Sequence, residues 1–349
     1  MIYGLRVFAI GGGTGLSALL SGLKHFIDPP QPGVSPGVSP GVSKEDVYFA
    51  DLAALVTVTD DGGSSGRLRD AFRMLPPGDI RNCLVALSED ESLLSSLFQH
   101  RFESGGDLAG HNFGNLFLTA LTAVTGDFSE AVRAASHVLA IRGRIFPSTN
   151  QSVSLVAELE NGELVAGETN ISSSTTPIRR VSLDPSTCRP PKDALEALLQ
   201  ADLVLIGPGS LYTSLVPNVL VPGVVEAIES SGALVVYLSN VMTQPGETTG
   251  YSIADHVEAL AVHAPALELS HILANSAPVP EDTLARYRDE GAVPVELSDE
   301  SELPCPLVLE DLLHPGPVLR HDGEKCARAL AILFRHSRVR AEPSRAART

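Results

Sequence analysis

The chain has 349 residues, 44% of them hydrophobic, so it can bury a substantial core and is no disordered polymer. Its 42 acidic residues against 25 lysines and arginines give a formal charge of -17, a surface that repels nucleic acid and anionic membrane as a whole. Any anionic ligand must therefore meet a local basic pocket.

The N-terminal stretch is too short and too glycine-broken for a signal peptide. No apolar run approaches the roughly 18 residues of a membrane span. The expectation is a cytoplasmic chain with no membrane insertion. Leu5 to Ile10 reads as a short apolar strand, Gly11 to Gly15 as a glycine loop around Thr14, and Leu16 to Phe26 as a helix. Strand, glycine loop and helix cradle a phosphate when the loop amides and the positive helix end face one anion, so Gly12, Gly13, Thr14 and Gly15 are candidate ligand contacts. The spacing fits neither standard nucleotide motif. A dinucleotide fingerprint starting at Gly11 needs glycine where Leu16 stands, and a P-loop needs a Gly-Lys pair that is absent. A loop serving only tight strand-to-helix packing is the alternative. Residues 32–43 repeat PGVS three times and read as a low-complexity surface loop without chemistry.

Leu52 to Val58 reads as a buried strand ending at Thr59, which places Asp60 and Asp61 at a carboxyl strand end, where ligands bind in open parallel sheets. Gly62, Gly63 and Gly66 permit close backbone approach. Arg67 and Arg69 can neutralise phosphate, and Asp60, Asp61 and Asp79 can hold a hard cation such as Mg²⁺ through oxygen. PPGDIRN at 76–82 supplies Asp79 and Asn82 as a second polar cluster. The plain alternative is an acidic surface turn with a helix cap at Ser64 or Ser65.

Asp79 to Leu87 and Ser92 to Phe102 have helical spacing. His111, Asn112 and Asn115 sit where a loop enters an apolar helix, either capping it through Asn112 or aiming at a polar ligand. Phe128 to Ile141 is a further helix, and RGRIFPST at 142–149 places two arginines in a turn. From 152 to 171 the pattern alternates in period two around Asn161-Gly162, a hairpin signal. Leu203 to Ile206 is a strand running into Gly207, Pro208, Gly209 and Ser210. The turn lacks the G-x-S-x-G elbow, which favours ligand binding over a serine nucleophile. Leu234 to Leu238 is the next strand, ending at Asn240, and Ile253 to His263 is a helix. His256 and His263 share a helix face, where a packed or solvent-facing role outweighs metal ligation. Leu267 to Asn275 and Val293 to Leu297 read as the last strands, before a helix at Lys325 to Arg335. The basic tail after Arg338 reads as disordered. Cys83, Cys188, Cys305 and Cys326 lie far apart with no C-x-x-C pair, which argues against a zinc site or disulfide framework.

The segments VFAIGGGTGLSALL, VTVTDDGGSSGRLR, LPPGDIRNCLVALS, GHNFGNLFLTAL, GPGSLYTSLVPN, NVMTQPGETTGYS and VLRHDG closely resemble those of the bacterial gluconeogenesis factor family, the YvcK or CofD-like proteins. They run from Val7 to Gly323. The resemblance implies an α/β, Rossmann-like, mostly parallel doubly wound sheet, here with the hairpin insertion near 152–171. It spans a single domain over 1–338, with 339–349 as tail. It also implies binding of UDP-sugars such as UDP-N-acetylglucosamine and a role in cell shape and growth on gluconeogenic carbon sources. Tyr287 and Arg320 resemble the family's UDP-sugar-binding Tyr and Arg. A more distant resemblance is to CofD, the Mg²⁺-using 2-phospho-L-lactate transferase, whose acidic loop is similar to Asp60-Asp61 and whose second glycine turn is similar to Gly207-Pro208. The sequence leaves a homo-oligomer open, and it shows no unambiguous base or nucleophile.

Overall fold

The computed structural model describes residues 3–27, 47–89, 93–104, 106–316 and 318–341, so the PGVS insert and most of the basic tail lie outside the described residues. The strands in chain order are β1 (Tyr3–Gly11), β2 (Val47–Val56), β3 (Arg144–Pro147), β4 (Ser154–Leu159), β5 (Leu164–Ala166), β6 (Ile178–Asp184), β7 (Leu203–Ile206), β8 (Leu234–Leu238), β9 (His271–Asn275) and β10 (Leu307–Glu310). Val7, Phe8, Ala9 and Ile10 of β1 and the whole of β7 are buried. Strands apolar on both faces belong at the centre of a parallel sheet covered on both sides. They lie side by side there, in a seven-stranded sheet of order β10-β9-β8-β7-β1-β2-β3 whose pairs are all parallel. Helices flank it, giving a Rossmann-like α/β layout.

The chain walks outward from β1 to β3 and then returns to lay β7 on the other side of β1. At such a reversal the loops leaving β1 and β7 diverge and open a crevice beyond their carboxyl ends. Between β3 and β7 the chain builds a second, antiparallel sheet of order β5-β4-β6. The hairpin around Asn161-Gly162 forms part of it, and β6 is a third strand that the period-two pattern did not reveal. Buried residues of both sheets belong to one continuous apolar core. Polar bonds fasten the small sheet to the large one: Arg69 donates to the Val153 carbonyl and the Ser154 hydroxyl, and His263 Nε2 accepts from the Val181 amide at 2.9 Å.

Two sequence expectations are corrected. Arginine-flanked RGRIFPST is the edge strand β3, with Ile145 and Phe146 buried and Arg144 paired to Asp51. Val293 to Leu297 is not a strand, because Pro294 has no amide to donate. That segment makes only isolated bridges, at Met242–Pro294 and Ser252–Glu296. The last strand is β10, half-exposed at the sheet edge. Among the described residues no single helix is long and apolar enough to cross a membrane.

Two helices carry the site's furthest parts. Helix α1 (Gly13–Leu23) follows β1 and meets the last helix (Gly323–Ala341) at its far end. A Cβ on Gly323 would stand 2.7 Å from Gly22 Cα, closer than real side chains come. Gly22→Ala or Gly323→Ala should therefore force the helices apart and cost about 1–3 kcal/mol, as overpacking does. Thermal melts should show a midpoint several degrees lower, and an unchanged midpoint would show that the crossing yields freely.

Candidate functional site

Beyond the ends of β1 and β7 lies a cleft of about 280 Å³. Its floor is the pair of glycine turns: Gly12, Gly13, Thr14 and Gly15 from the first, Pro208, Gly209 and Ser210 from the second. A Cβ on Gly15 would sit 3.0 Å from the Pro208 carbonyl oxygen, so any larger residue there would press the second turn away from the first. Gly207 does not line the cleft; its amide bonds the Ile10 carbonyl and closes the β1–β7 edge below it.

The segment after β8 holds the second turn in place. Asn240 accepts from the Gly209 amide at 3.2 Å and donates to the Gly209 carbonyl at 2.8 Å. Gln244 Nε2 donates to Ser210 Oγ at 2.8 Å. Glu247, nearly fully buried, accepts from the Tyr212 amide, the Thr213 hydroxyl and the Ser172 hydroxyl, which ties the turn to the small sheet side. Burial raises the Glu247 carboxyl, while those donors pull it back.

The roof comes from Val318–His321 and Tyr287. Each residue from 320 to 323 has a separate task. Arg320 is exposed at the cleft, and its guanidinium has no partner among the described residues. His321 forms the buried wall, 7% exposed. Asp322 Oδ1 accepts from the Glu324 and Lys325 amides and caps the last helix. Gly323 closes that helix onto α1. The Tyr287 hydroxyl accepts from the Leu319 amide at 3.2 Å, fixing the strap that carries Arg320. A second, polar recess of about 340 Å³ adjoins the cleft through Thr14, Ala18 and Arg320, and adds Ser17, Ser21 and Asn82.

The acidic residues gather beside the first glycine turn. Asp79 Oδ2 accepts from the Gly13 amide at 2.7 Å, so one amide of the expected phosphate cradle already holds a carboxylate of the chain itself. Burial raises Asp79 to about 6, with the Gly13 bond opposing and Asp60 adding. Asp60 Oδ1 accepts from the Gly62 amide, and Asp61 accepts from the amide and hydroxyl of Thr169. Glu168 joins them from the small sheet side. Its Oε2 is buried without a partner, and burial, followed by Asp79 and Asp60, raises its carboxyl to about 9.

The His111 cluster forms a separate network behind the acids. Helix α2 (Gly63–Phe72) is entered at Gly62, so Ser64 is not its cap. Ser64 Oγ instead bonds His111 Nδ1, the Asn112 amide and Asn115 Nδ2. Asn112 caps the helix Phe113–Thr125 by accepting from the Asn115 amide. Arg67 donates to the Ala109 carbonyl. Arg81 links this network to the recess, donating to Asn115 Oδ1 at 3.2 Å and Asn82 Oδ1 at 2.6 Å.

Residues 7–313 match the family model of 2-phospho-L-lactate transferase CofD. The gluconeogenesis factor of Halalkalibacterium halodurans is 45% identical over 93% of this chain and 95% of its own. That of Bacillus subtilis is 45% identical over 95% and 98%. The chain belongs to the gluconeogenesis factor family. A crystal structure of a UPF0052 family member from Bacillus halodurans superimposes with a TM-score of 0.84 at 44% identity, over 93% of this chain and 98% of that one. In this chain the cleft unites Gly12, Gly13, Thr14, Gly15, Gly209, Ser210, Asn240, Tyr287 and Arg320, and the recess adds Asn82. Asp79 reaches the cleft through Gly13, whereas Arg67, His111, Asn112 and Asn115 lie in the network behind it. Asp61 points towards the small sheet side at Thr169, whereas Asp60 turns to the Gly62 amide and Gly78.

Sequence reasoning passed over Arg81, Glu168, Gln244, Glu247 and His321. Four of them stand inside quoted family segments; Glu168 follows the hairpin and carries no motif signal of its own. The CofD resemblance implies Mg²⁺, and the donors suit a hard cation in kind, being carboxylates with a buried orphan oxygen among them. As placed, no three His, Cys, Asp or Glu groups among the described residues close around one ion.

Glu168 makes a pH signature. Its carboxyl sits near 9 in the fold against an ordinary 4.5, so the unfolded chain loses this proton first. Stability should then fall as pH rises from 4.5 to 9, by at most about 1.4 kcal/mol per unit. Glu168→Gln should match the parent near pH 4.5 and exceed it increasingly towards pH 9 in denaturant melts. A constant offset at all pH values would mean that Glu168 is ionised in the fold.

Proposed function

We propose that the cleft binds the diphosphate of a nucleotide sugar such as UDP-N-acetylglucosamine, and that the protein is a nucleotide-sugar-responsive regulator linked to central carbon metabolism and cell shape. The single observation that carries this reading is Arg320. On a chain of charge -17, a guanidinium without a partner among the described residues lines a cleft with two glycine turns at the sheet's switch point. A guanidinium bridges two diphosphate oxygens through paired, charge-assisted hydrogen bonds. The cleft and its adjoining recess together reach the range of small-molecule sites, roughly 300–1,000 Å³. The glycine spacing lacks the dinucleotide fingerprint, which supports a nucleoside diphosphate over NAD. That the relatives are gluconeogenesis factors supports the metabolic link.

A second reading is favoured by the carboxylates beside Gly13 and by the transferase name of the matching family model. It is a CofD-like, Mg²⁺-dependent transfer from a nucleotide-diphosphate-linked substrate. In it Asp60, Asp61 and Asp79 would hold the cation, which when bound supplies charge neutralisation to the phosphates. The chain's own part would be to orient the diphosphate through Arg320 and the two glycine turns.

Calorimetric titration with UDP-N-acetylglucosamine, in EDTA and then in Mg²⁺, separates these readings when followed by product analysis. Arg320→Ala should weaken binding about tenfold or more while the fold persists, since charge-assisted bonds are worth roughly 1.5–3 kcal/mol. Undiminished affinity in that variant would remove Arg320 from the site. Product formed only with Mg²⁺ would establish the transferase reading.

A further inference from the structure

Two recesses open off the cleft, and their linings differ in kind. One adjoins it at Thr14 and Ala18 on the β1 side, the other at Asn240 and Val241 on the β8 side, and β7 stands between β1 and β8 in the sheet. The β1-side recess, of about 340 Å³, lies among α1 and the helices Gly78–Leu87 and Leu93–Gln99. Ser17 and Ser21 give their hydroxyl protons to the Thr14 and Ala18 carbonyls, at 3.1 and 2.7 Å, so each presents lone pairs. Asn82 Oδ1 is taken by Arg81, which leaves Nδ2 to donate, and the Gln99 carboxamide has no partner among the described residues. All four side chains are half-buried or exposed, and no carboxylate joins them in the lining.

The β8-side pocket, of about 200 Å³, lies beyond the carboxyl ends of β8 and β9 and is walled by Ile253, Val279, Leu284, Pro294 and Val295. Its two asparagines are committed to the chain itself. Asn240 clamps Gly209, and Asn275 accepts from the Ala277 and Leu312 amides and donates to the Ala277 carbonyl.

A nucleotide sugar has ends that differ in the same way. Each sugar hydroxyl both donates and accepts, and burying one against an apolar wall strips its water without replacement. A base is flat, and apolar contact on its faces can hold it. We propose that, with the diphosphate between Arg320 and the glycine turns, the ligand lies in one direction: its sugar in the recess of Ser17, Asn82 and Gln99, its base in the pocket of Val279 and Leu284. This inference rests on the nucleotide-sugar reading above and adds the ligand's direction and the residues that read the sugar.

Two variants report on the two ends. Ser17→Ala combined with Gln99→Ala removes polar groups from accessible positions, and the affinity for UDP-N-acetylglucosamine should fall at least tenfold more than the affinity for UDP, as measured by calorimetry. Val279→Trp fills the apolar pocket and should weaken both ligands about equally, by tenfold or more. An unchanged preference in the first variant, or a Val279→Trp effect that is absent or confined to the nucleotide sugar, would overturn the inference and leave the nucleotide-sugar reading standing. A parent chain that binds neither ligand overturns both. A measurement on the parent chain guards against misfolded variants. With UDP-N-acetylglucosamine bound to methyl-labelled protein, nuclear Overhauser effects should join the N-acetyl and sugar-ring protons to the Val85 and Ala86 methyls on the polar recess, and the uracil protons to the Val279 and Leu284 methyls. The exchanged pairing, or contacts to neither set, also overturns the inference.

Discussion

A methyl group on Gly15 would come within 3.0 Å of the Pro208 carbonyl oxygen, and the whole site is arranged around that approach of two backbones. It exists because β1 and β7 are hydrogen-bonded neighbours although almost 200 residues separate them in the chain. Everything else in the cleft holds or completes the two turns. Asn240 clamps Gly209, Gln244 holds Ser210, and Asp79 anchors Gly13. The burial of β1 and β7 on both faces fixes the strand ends, and the polar clamps fix the loops that leave them.

The electrostatics divide the region in two. On the Arg320 side the described side chains facing the cleft are cationic or neutral, which suits an anion. On the Asp79 side four partly buried carboxylate residues, Asp60, Asp61, Asp79 and Glu168, lie near enough to act on one another electrostatically. Burial and mutual repulsion raise Asp79 and Glu168. Such a group stores an unfavourable interaction that a proton or a cation relieves. The Gly13 amide marks the boundary, because it faces a carboxylate where a phosphate-binding loop offers its amide freely.

Much of this was legible in the sequence, for identifiable reasons. β7, β8 and the helix Ile253–His263 lie where their apolar spacing put them, because each is a buried run ended by glycine, asparagine or proline. The cleft residues were legible because glycines and amides at strand ends have few other uses. β3, β6 and β10 were not, since short or edge strands take their identity from the neighbour they pair with and carry little pattern themselves. Glu168 was invisible for a related reason. It meets Asp60 and Asp79 only after the chain has crossed from one sheet to the other. His111, Asn112 and Asn115 carried a fair polar signal that the fold uses for capping and for bonds to Ser64.

The contact between Gly22 and Gly323 has a bearing on how this chain can vary. Elsewhere in a core, enlargement at one position is offset by trimming its neighbour, and such exchanges let sequences drift while volume is conserved. Here both partners already have the smallest side chain available, so neither can yield room to the other. The pair is a dead end for compensation. Because Gly323 ends the strap that bears Arg320 and His321, the placement of those two residues over the cleft inherits that rigidity.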